Sequence, residues 1–460
     1  FLTGANISVA ITKEFMEAVE NDEEYALRFP DVENYDTTEM WQYNNRWHEV
    51  GDVREWAEMG FAVKTYRTIK ARDLWNLINV CATYSAEPGV FFIDNANEMT
   101  NAAAYGEKVV ATNPCGEQPL APYSVCNLAA INLANMADKE SKTVDFEKLK
   151  QTVRTGVRMM DNVIDATPYF LEANERMALG ERRLGMGVMG LHDLLIYCEK
   201  TYGSEEGNKL VDEVFETIAT EAYRASIELA KEKGSFPFLD YGIGNFRDEF
   251  ANTGFVRTLP EDIREGIREH GIRNSHILTV APTGSTGTMV GVSTGLEPYF
   301  AFKYFRSGRL GKFIEVNAGI VDDLGLDADN LPEYFVSSME LSPEAHADVQ
   351  TTIQRWVDSS ISKTVNAPKG YTVEQVQAVY ERLYKGGAKG GTVYVDGSRD
   401  SQVLSLGDDK EDEEEEMIEE TAEVGVELGD TCPICRDGKV IEQGGCNTCD
   451  TCGTQLKCGI

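Results

Sequence analysis

Positive charge is what this 460-residue chain most lacks: 43 lysines and arginines stand against 77 aspartates and glutamates, a formal net charge of −34. A grip on nucleic acid needs Lys and Arg to neutralise phosphates, and no basic block here could supply it. Long apolar runs are missing too. The longest stop well short of the roughly 18 residues that read as a membrane span, and Phe1-Leu2-Thr3 is not a basic segment ahead of an apolar one. The expected partners therefore include neither nucleic acid nor membrane, and the expected location is the cytoplasm. An initiating Met is absent and a strand-like run, Asn6 to Ile11, starts almost at once, so the expectation is a piece of a longer polypeptide. The five histidines form no His-x-x-x-His or Glu-x-x-His group, which leaves a di-iron or His-zinc site in the body unsupported.

What is present suffices for a large core: hydrophobic residues make up 42% and aromatics 9%, which suits one big domain with an appendage better than several small ones. Asp408 to Asp430 holds 13 acids and one Lys. Subtracting its −12 leaves −22 for the rest, a surface expected of a protein from a salt-rich, halophilic cytoplasm. The tract Asp408 to Glu416 is too charged and too poor in apolar residues to compact. The expected division is thus a body over 1–405, an acidic linker over 406–430 and a tail over 431–460. Six of the ten cysteines lie in that tail, which is too short to build its own core and needs a covalent or metallic support.

In the body, helical periodicity is read over Ile69–Thr83, Asp145–Tyr169, Leu184–Cys198, Glu205–Lys233, Pro343–Ser360 and Val373–Leu383, the last with Thr372 as N-cap. β-rich runs are read at Gly89–Asp94, His276–Ala281 and Gly391–Asp396. Strands separated by helices predict an α/β fold with mostly parallel pairing.

Three constellations could carry chemistry. In Asn113-Pro114-Cys115-Gly116-Glu117, proline and glycine disfavour helix. An extended chain would turn the amide, the thiol and the carboxylate to one face, as needed to hold a hydroxyl, move a hydrogen atom and accept a proton; a Pro/Gly turn around a structural cysteine is the plainer reading. Cys126, eleven positions on, gains interest only from Cys115. In Val280-Ala281-Pro282-Thr283-Gly284-Ser285-Thr286, a β-branched run enters a loop whose N–H and hydroxyl groups could meet phosphate oxygens, although a polar turn is the simpler account. In the tail, Cys432 and Cys435, then Cys446, Cys449 and Cys452, then Cys458 have zinc-knuckle spacing. Cys432, Cys435, Cys449 and Cys452 are the favoured ligands, with Cys446 and Cys458 left over. The rival set replaces Cys452 by Cys446. Cys81 and Cys198 fall in helical apolar patterns and are expected in the core.

Together these residues resemble ribonucleotide reductase large chains. Asn113 to Glu117 is similar to that family's active-site finger loop, and Cys126 falls where the family has a disulfide-forming cysteine. Further likenesses, in order, are Arg183 to Gly190, Arg273-Asn274 ahead of Ala281 to Gly284, Gly295 to Pro298, Ser362 to Asn366 and Val393 to Arg399. Class I large chains have paired tyrosines where this chain has Tyr394 alone; Asp396 to Arg399 and the cysteine-rich tail resemble class II, the adenosylcobalamin-dependent form.

The resemblance implies a ten-stranded α/β barrel with the finger loop inside it and a small zinc-ribbon-like tail. It implies a thiyl radical on Cys115, Glu117 as general base, Asn113 as a ribose contact and Cys126 in the reducing pair. Phosphates would sit on Pro282, Thr283, Gly284, Ser285 and Thr286, with Cys446 and Cys458 as the tail's redox pair. The implied partners are a ribonucleotide, the upstream part of the same enzyme, a thioredoxin- or glutaredoxin-like reductant and a second copy in a homodimer. A class I fragment, a zinc-ribbon docking module and a thiol–disulfide oxidoreductase remain the alternatives.

Overall fold

The computed structural model describes residues 6–240, 245–307, 313–398, 404–405, 425–443 and 446–458. The acidic tract 408–416 lies outside the described residues. The longest helix, Glu205–Lys233, starts at Ser204, whose hydroxyl accepts from Gly207 N at 3.0 Å. Its apolar side, including Val211, Val214, Ile218 and Ala222, packs on Leu149, Val153, Val157 and Met160 of the helix Phe146–Ala166 in the main core. A second core gathers around Trp75, Val365, Tyr380 and Val393. There the helix Val373–Lys385 is closed by a reciprocal capping box between Thr372 and Gln375.

Seven of the extended segments follow one another in a central series held by ladders and single bridges, with the antiparallel pair Glu24–Pro30 and Val63–Lys70 among those outside it. Asn127–Asn132 runs parallel to Leu184–Met189. Met186 bridges Leu278, and Val280 bridges Ile361, both in parallel. Ile361 leads into Thr364–Ala367, which is parallel to Gly390–Val395. That strand meets Gly89–Phe92 antiparallel, and Gly89–Phe92 is parallel to Ser8–Ile11. Among the described residues the series stays open at Asn127–Asn132 and at Ser8–Ile11. The α/β fold is as expected, and the central series is mostly parallel, but across the described residues antiparallel ladders outnumber parallel ones because antiparallel pairs such as Glu24–Pro30 with Val63–Lys70 surround it; a closed ten-stranded barrel is not formed by these residues.

Three sequence expectations need correction. The helix expected over Pro343–Ser360 ends at Gln354. Leu184–Cys198 is not one helix: Leu184–Met189 is a strand and only Leu191–Tyr197 is helical. Both strand faces are buried, so size alternates instead of polarity. Gly187 lies between Met186 and Val188, and a Cβ there would come within 2.4 Å of Thr279 O, so only glycine lets the neighbouring segment close in. His276–Ala281, for its part, is extended but makes single bridges instead of a ladder. Its place is held by the buried Asp358 carboxylate, which accepts from Ile277 N at 2.8 Å and Leu278 N at 3.0 Å.

The tail is a three-stranded antiparallel sheet of Val440–Gln443, Cys446–Cys449 and Gln455–Cys458. Residues 425–430, expected in the linker, are tied to it: Gly429 N donates to Val440 O at 2.9 Å, and Val426 enters the tail's small core. Tyr84 of the body packs against that core, and Arg436 pairs with Glu374 at 2.5 Å.

No helix among the described residues is long and apolar enough to cross a membrane. Self-repulsion should govern stability, because the charge of −22 outside the acidic stretch is screened only by salt. The melting temperature, followed by circular dichroism, is expected to rise from dilute buffer to molar salt. A salt-independent melt would contradict it.

Candidate active site

Ala111–Thr112 pairs antiparallel with Pro119–Leu120, and residues 113–118 close the hairpin. Asn113 makes the turn: its N donates to Gln118 O at 3.2 Å, and its Oδ1 accepts from Gln118 N at 3.0 Å. Gly116, at φ +80°, supplies the left-handed residue and donates to Asn113 O at 3.0 Å. The loop is therefore a hairpin tip, and the expected single face carrying Asn113, Cys115 and Glu117 does not form. Instead the residues separate by depth. Cys115 is exposed at the tip, whereas Glu117 is only 2% exposed.

The strand series anchors the hairpin from beneath. The Glu117 carbonyl accepts from Thr279 Oγ1 at 2.8 Å and from Ser360 N at 2.9 Å, while the carboxylate oxygen Oε2 has no partner. Cys115 borders a cleft of about 310 Å³ shared with Gly89, Pro282, Lys363, Gly390 and Gly391.

Cys126 precedes the strand Asn127–Asn132, and its thiol donates to Asn127 O at 3.2 Å. Burial pushes this thiol up to about 12; Arg183 pulls the other way, and Asp358, Glu117 and Glu181 add to the rise. Cys115, exposed as a residue, is also pushed up, first by the partial desolvation of its sulfur and then by the Glu117 charge. Both sulfurs thus stay protonated near neutral pH, and both feel the same carboxylate. A donor of hydrogen atoms has to keep its S–H, so this is the state that such chemistry uses.

Pro282 joins that cleft to the next loop. Thr283 takes a left-handed conformation at φ +46°, and its Oγ1 accepts from Gly295 N at 2.7 Å. The short helix Gly284–Val290 follows, with Gly284, Ser285 and Thr286 exposed in its first turn. The loop therefore opens beside the Cys115 cleft.

In the tail, the sulfurs of Cys432, Cys435, Cys449 and Cys452 all lie within 4.8 Å of one another. Cys432 and Cys452 are 3.8 Å apart, and Cys435 and Cys449 are 3.6 Å apart. Backbone N–H groups point at the cluster, from Gly438 to Cys435 Sγ and from Thr451 and Cys452 to Cys449 Sγ, each at 3.4 Å. Cys446 stands outside the group and is disulfide-bonded; the residue opposite it in register is Cys458.

The model of the ribonucleotide reductase barrel domain matches residues 2–394. The chain belongs to the ribonucleotide reductase family. It is 33% identical over 443 residues to the vitamin B12-dependent ribonucleoside-diphosphate reductase of Thermoplasma acidophilum, covering 91% of this chain and 51% of the relative. The protein of the same description in Mycobacterium tuberculosis (strain H37Rv) is 34% identical over 74% of this chain and 48% of its own length. The ribonucleoside-diphosphate reductase large chain of Cryptosporidium parvum is 31% identical over 70% of this chain and 41% of its own. The chain spans about half the length of the curated relatives it matches.

Sequence reasoning quoted Glu297 and Lys363 only as parts of motifs; in the reductase fold they meet. Buried Lys363 Nζ donates to Glu297 Oε2 at 2.5 Å, His346 Nδ1 at 2.9 Å and Thr364 O at 2.8 Å, which uses all three protons. Burial, followed by the Lys363 charge, lowers His346 to about 3, so it stays neutral and accepts. Lys363 borders the Cys115 cleft and Glu297 borders a second cavity of about 460 Å³, so the pair stands between them. The available signal was an unpaired acid in one motif and an unpaired base in another.

Proposed function

We propose that this chain carries the reacting residues of an adenosylcobalamin-dependent ribonucleotide reductase, converting ribonucleotides to 2′-deoxyribonucleotides for DNA synthesis. The observation that carries the reading is the hairpin tip, where Glu117, a buried carboxylate with one orphaned oxygen, lies two residues from the exposed Cys115 at the edge of a cleft. Cys115 gives up its S–H hydrogen, and the resulting thiyl takes the 3′ hydrogen of the ribose. Glu117 accepts the 3′ hydroxyl proton. Asn113 spends Oδ1 on the hairpin, which leaves its Nδ2 protons for a ribose hydroxyl. The 2′ hydroxyl leaves as water, Cys126 with a partner cysteine supplies two electrons and two protons and ends as a disulfide, and Cys115 returns its hydrogen to C3′, which restores the thiyl. Pro282, Thr283, Gly284, Ser285 and Thr286 receive the phosphates.

Adenosylcobalamin, when bound, supplies the radical that removes the Cys115 hydrogen. The glycine-lined cleft beside Cys115 has room for a nucleoside-sized group, which suits its adenosyl part. In the tail, four thiolates at about 2.3 Å from a tetrahedral zinc would stand about 3.8 Å apart, close to the spacings observed. Cys446 and Cys458 then re-reduce the active site by thiol exchange and are themselves reduced by a thioredoxin- or glutaredoxin-like protein. The upstream part of the enzyme completes the barrel at the two open edges.

The test joins this chain to its upstream half and assays deoxyribonucleotide formation. Turnover is expected only with adenosylcobalamin. Turnover without it, supported by an iron-containing second chain, would favour class I; dithiol exchange indifferent to nucleotides would favour a thiol oxidoreductase.

A further inference from the structure

Beneath the finger hairpin lies a set of buried polar atoms that nothing satisfies. Gln118 is 2% exposed, yet neither end of its carboxamide has a partner. Glu117 Oε2 is orphaned as well, and Arg183 Nε has no hydrogen bond, only the Glu181 carboxylate at 3.6 Å. Buried amides are costly to leave unpaired, so a native structure that keeps one invites the question of when it is used.

Gly185 locates the amide. A Cβ on Gly185 would come within 2.6 Å of both Cys126 Sγ and Leu128 Cδ2 and 2.9 Å of Gln118 Nε2, so the sulfur and the carboxamide nitrogen close in on the same glycine, where a side chain has no room. In the protonated state the sulfur is a donor, and it gives its proton to Asn127 O. A thiolate has no proton to give and needs a donor instead. The Gln118 NH₂ is the orphaned donor beside it, and because both amide ends are free, a half-turn of the group costs no existing bond.

We propose that Gln118 is a positioning residue for Cys126: its carboxamide donates a hydrogen bond to the sulfur once that sulfur is a thiolate, replacing the S–H···O bond to Asn127 that only the thiol can make. The charges whose fields act on this sulfur are those of Arg183, Asp358, Glu117 and Glu181, three acids against one base. With that surplus of negative charge, a neutral donor is the addition that favours the thiolate without burying another ion. Thiol–disulfide exchange runs through the thiolate, so Gln118 would set how readily Cys126 re-enters the cycle. The inference deepens the proposed function and rests on it for its purpose, but its test needs no turnover, nucleotide or cobalamin.

The reduced full chain is treated with iodoacetamide over a pH series, and alkylation is read cysteine by cysteine by mass spectrometry. Gln118→Met keeps the length and removes the donor. It should raise the pH midpoint of Cys126 labelling and slow it about tenfold at a fixed pH below that midpoint, equivalent to one pKa unit, while Cys115 is unchanged. Simple loosening of the fold would act in the opposite direction, speeding Cys126 and exposing the buried Cys198. If Cys198 does become labelled in Gln118→Met, the decision passes to Gln118→Leu, which also lacks the NH₂ group, adds no charge and must likewise raise the midpoint. An unchanged or lowered Cys126 midpoint in a variant whose Cys198 stays protected overturns the proposal.

Discussion

Cys115→Ser is expected to reduce deoxyribonucleotide formation to background in the enzyme completed by its upstream half, with substrate binding nearly intact. A serine O–H bond is too strong to surrender its hydrogen atom to a radical, so the exchange removes the chemistry itself. It should leave the hairpin alone. The turn is closed by Asn113, Gly116 and Gln118, and Cys115 is exposed at its tip. Glu117→Gln removes the base but keeps the shape, and should slow turnover by about 10²- to 10⁴-fold, the usual range for a general base. Product formation and equilibrium nucleotide binding, measured on the same preparations, check both variants. Appreciable turnover by Cys115→Ser would remove the radical assignment.

Stripping metal from the reduced full chain should unfold the tail and leave the body folded. The tail's core consists of Val426, Cys432, Val440, Cys449 and Leu456, and two of those five are thiols in the four-sulfur group, so little apolar surface remains without a metal. Structural zinc sites contribute about 10–16 kcal/mol of apparent binding energy at neutral pH, far more than three side chains of that size bury. Metal analysis should give about one zinc per chain. It should be lost in Cys432→Ser and Cys435→Ser and kept in Cys446→Ser and Cys458→Ser. Limited proteolysis after chelation should then cut within the tail before the body. Loss of zinc in Cys458→Ser would mean that the ligand set is wrong.

Several features were legible in the sequence because they depend on near neighbours along the chain. The helix Glu205–Lys233 has the bounds that the sequence predicts, since an amphipathic face repeated over that length leaves little choice of period. Thr372 was read as an N-cap because a cap concerns three residues. The knuckle spacing of the tail cysteines is likewise local, and the four favoured as ligands are the four that the structure groups. The motifs from Asn113 to Arg399 pointed to the family by their order alone.

Tertiary structure decided what depends on depth and on distant partners. Leu184–Met189 read as helix because burial on both faces erases the polar alternation of a strand, and only the approach of Thr279 explains Gly187. Alternation along an extended chain placed Cys115 and Glu117 side by side, but the Asn113 side chain folds the segment into a turn that exposes one and buries the other. Glu297 with Lys363, and Gln118 with Cys126, are separated in the chain and joined only by the fold. A sequence sets which groups are available, but their pairing and protonation depend on burial and on charges brought from elsewhere, because the cost of an unpaired polar group arises only once water has been excluded.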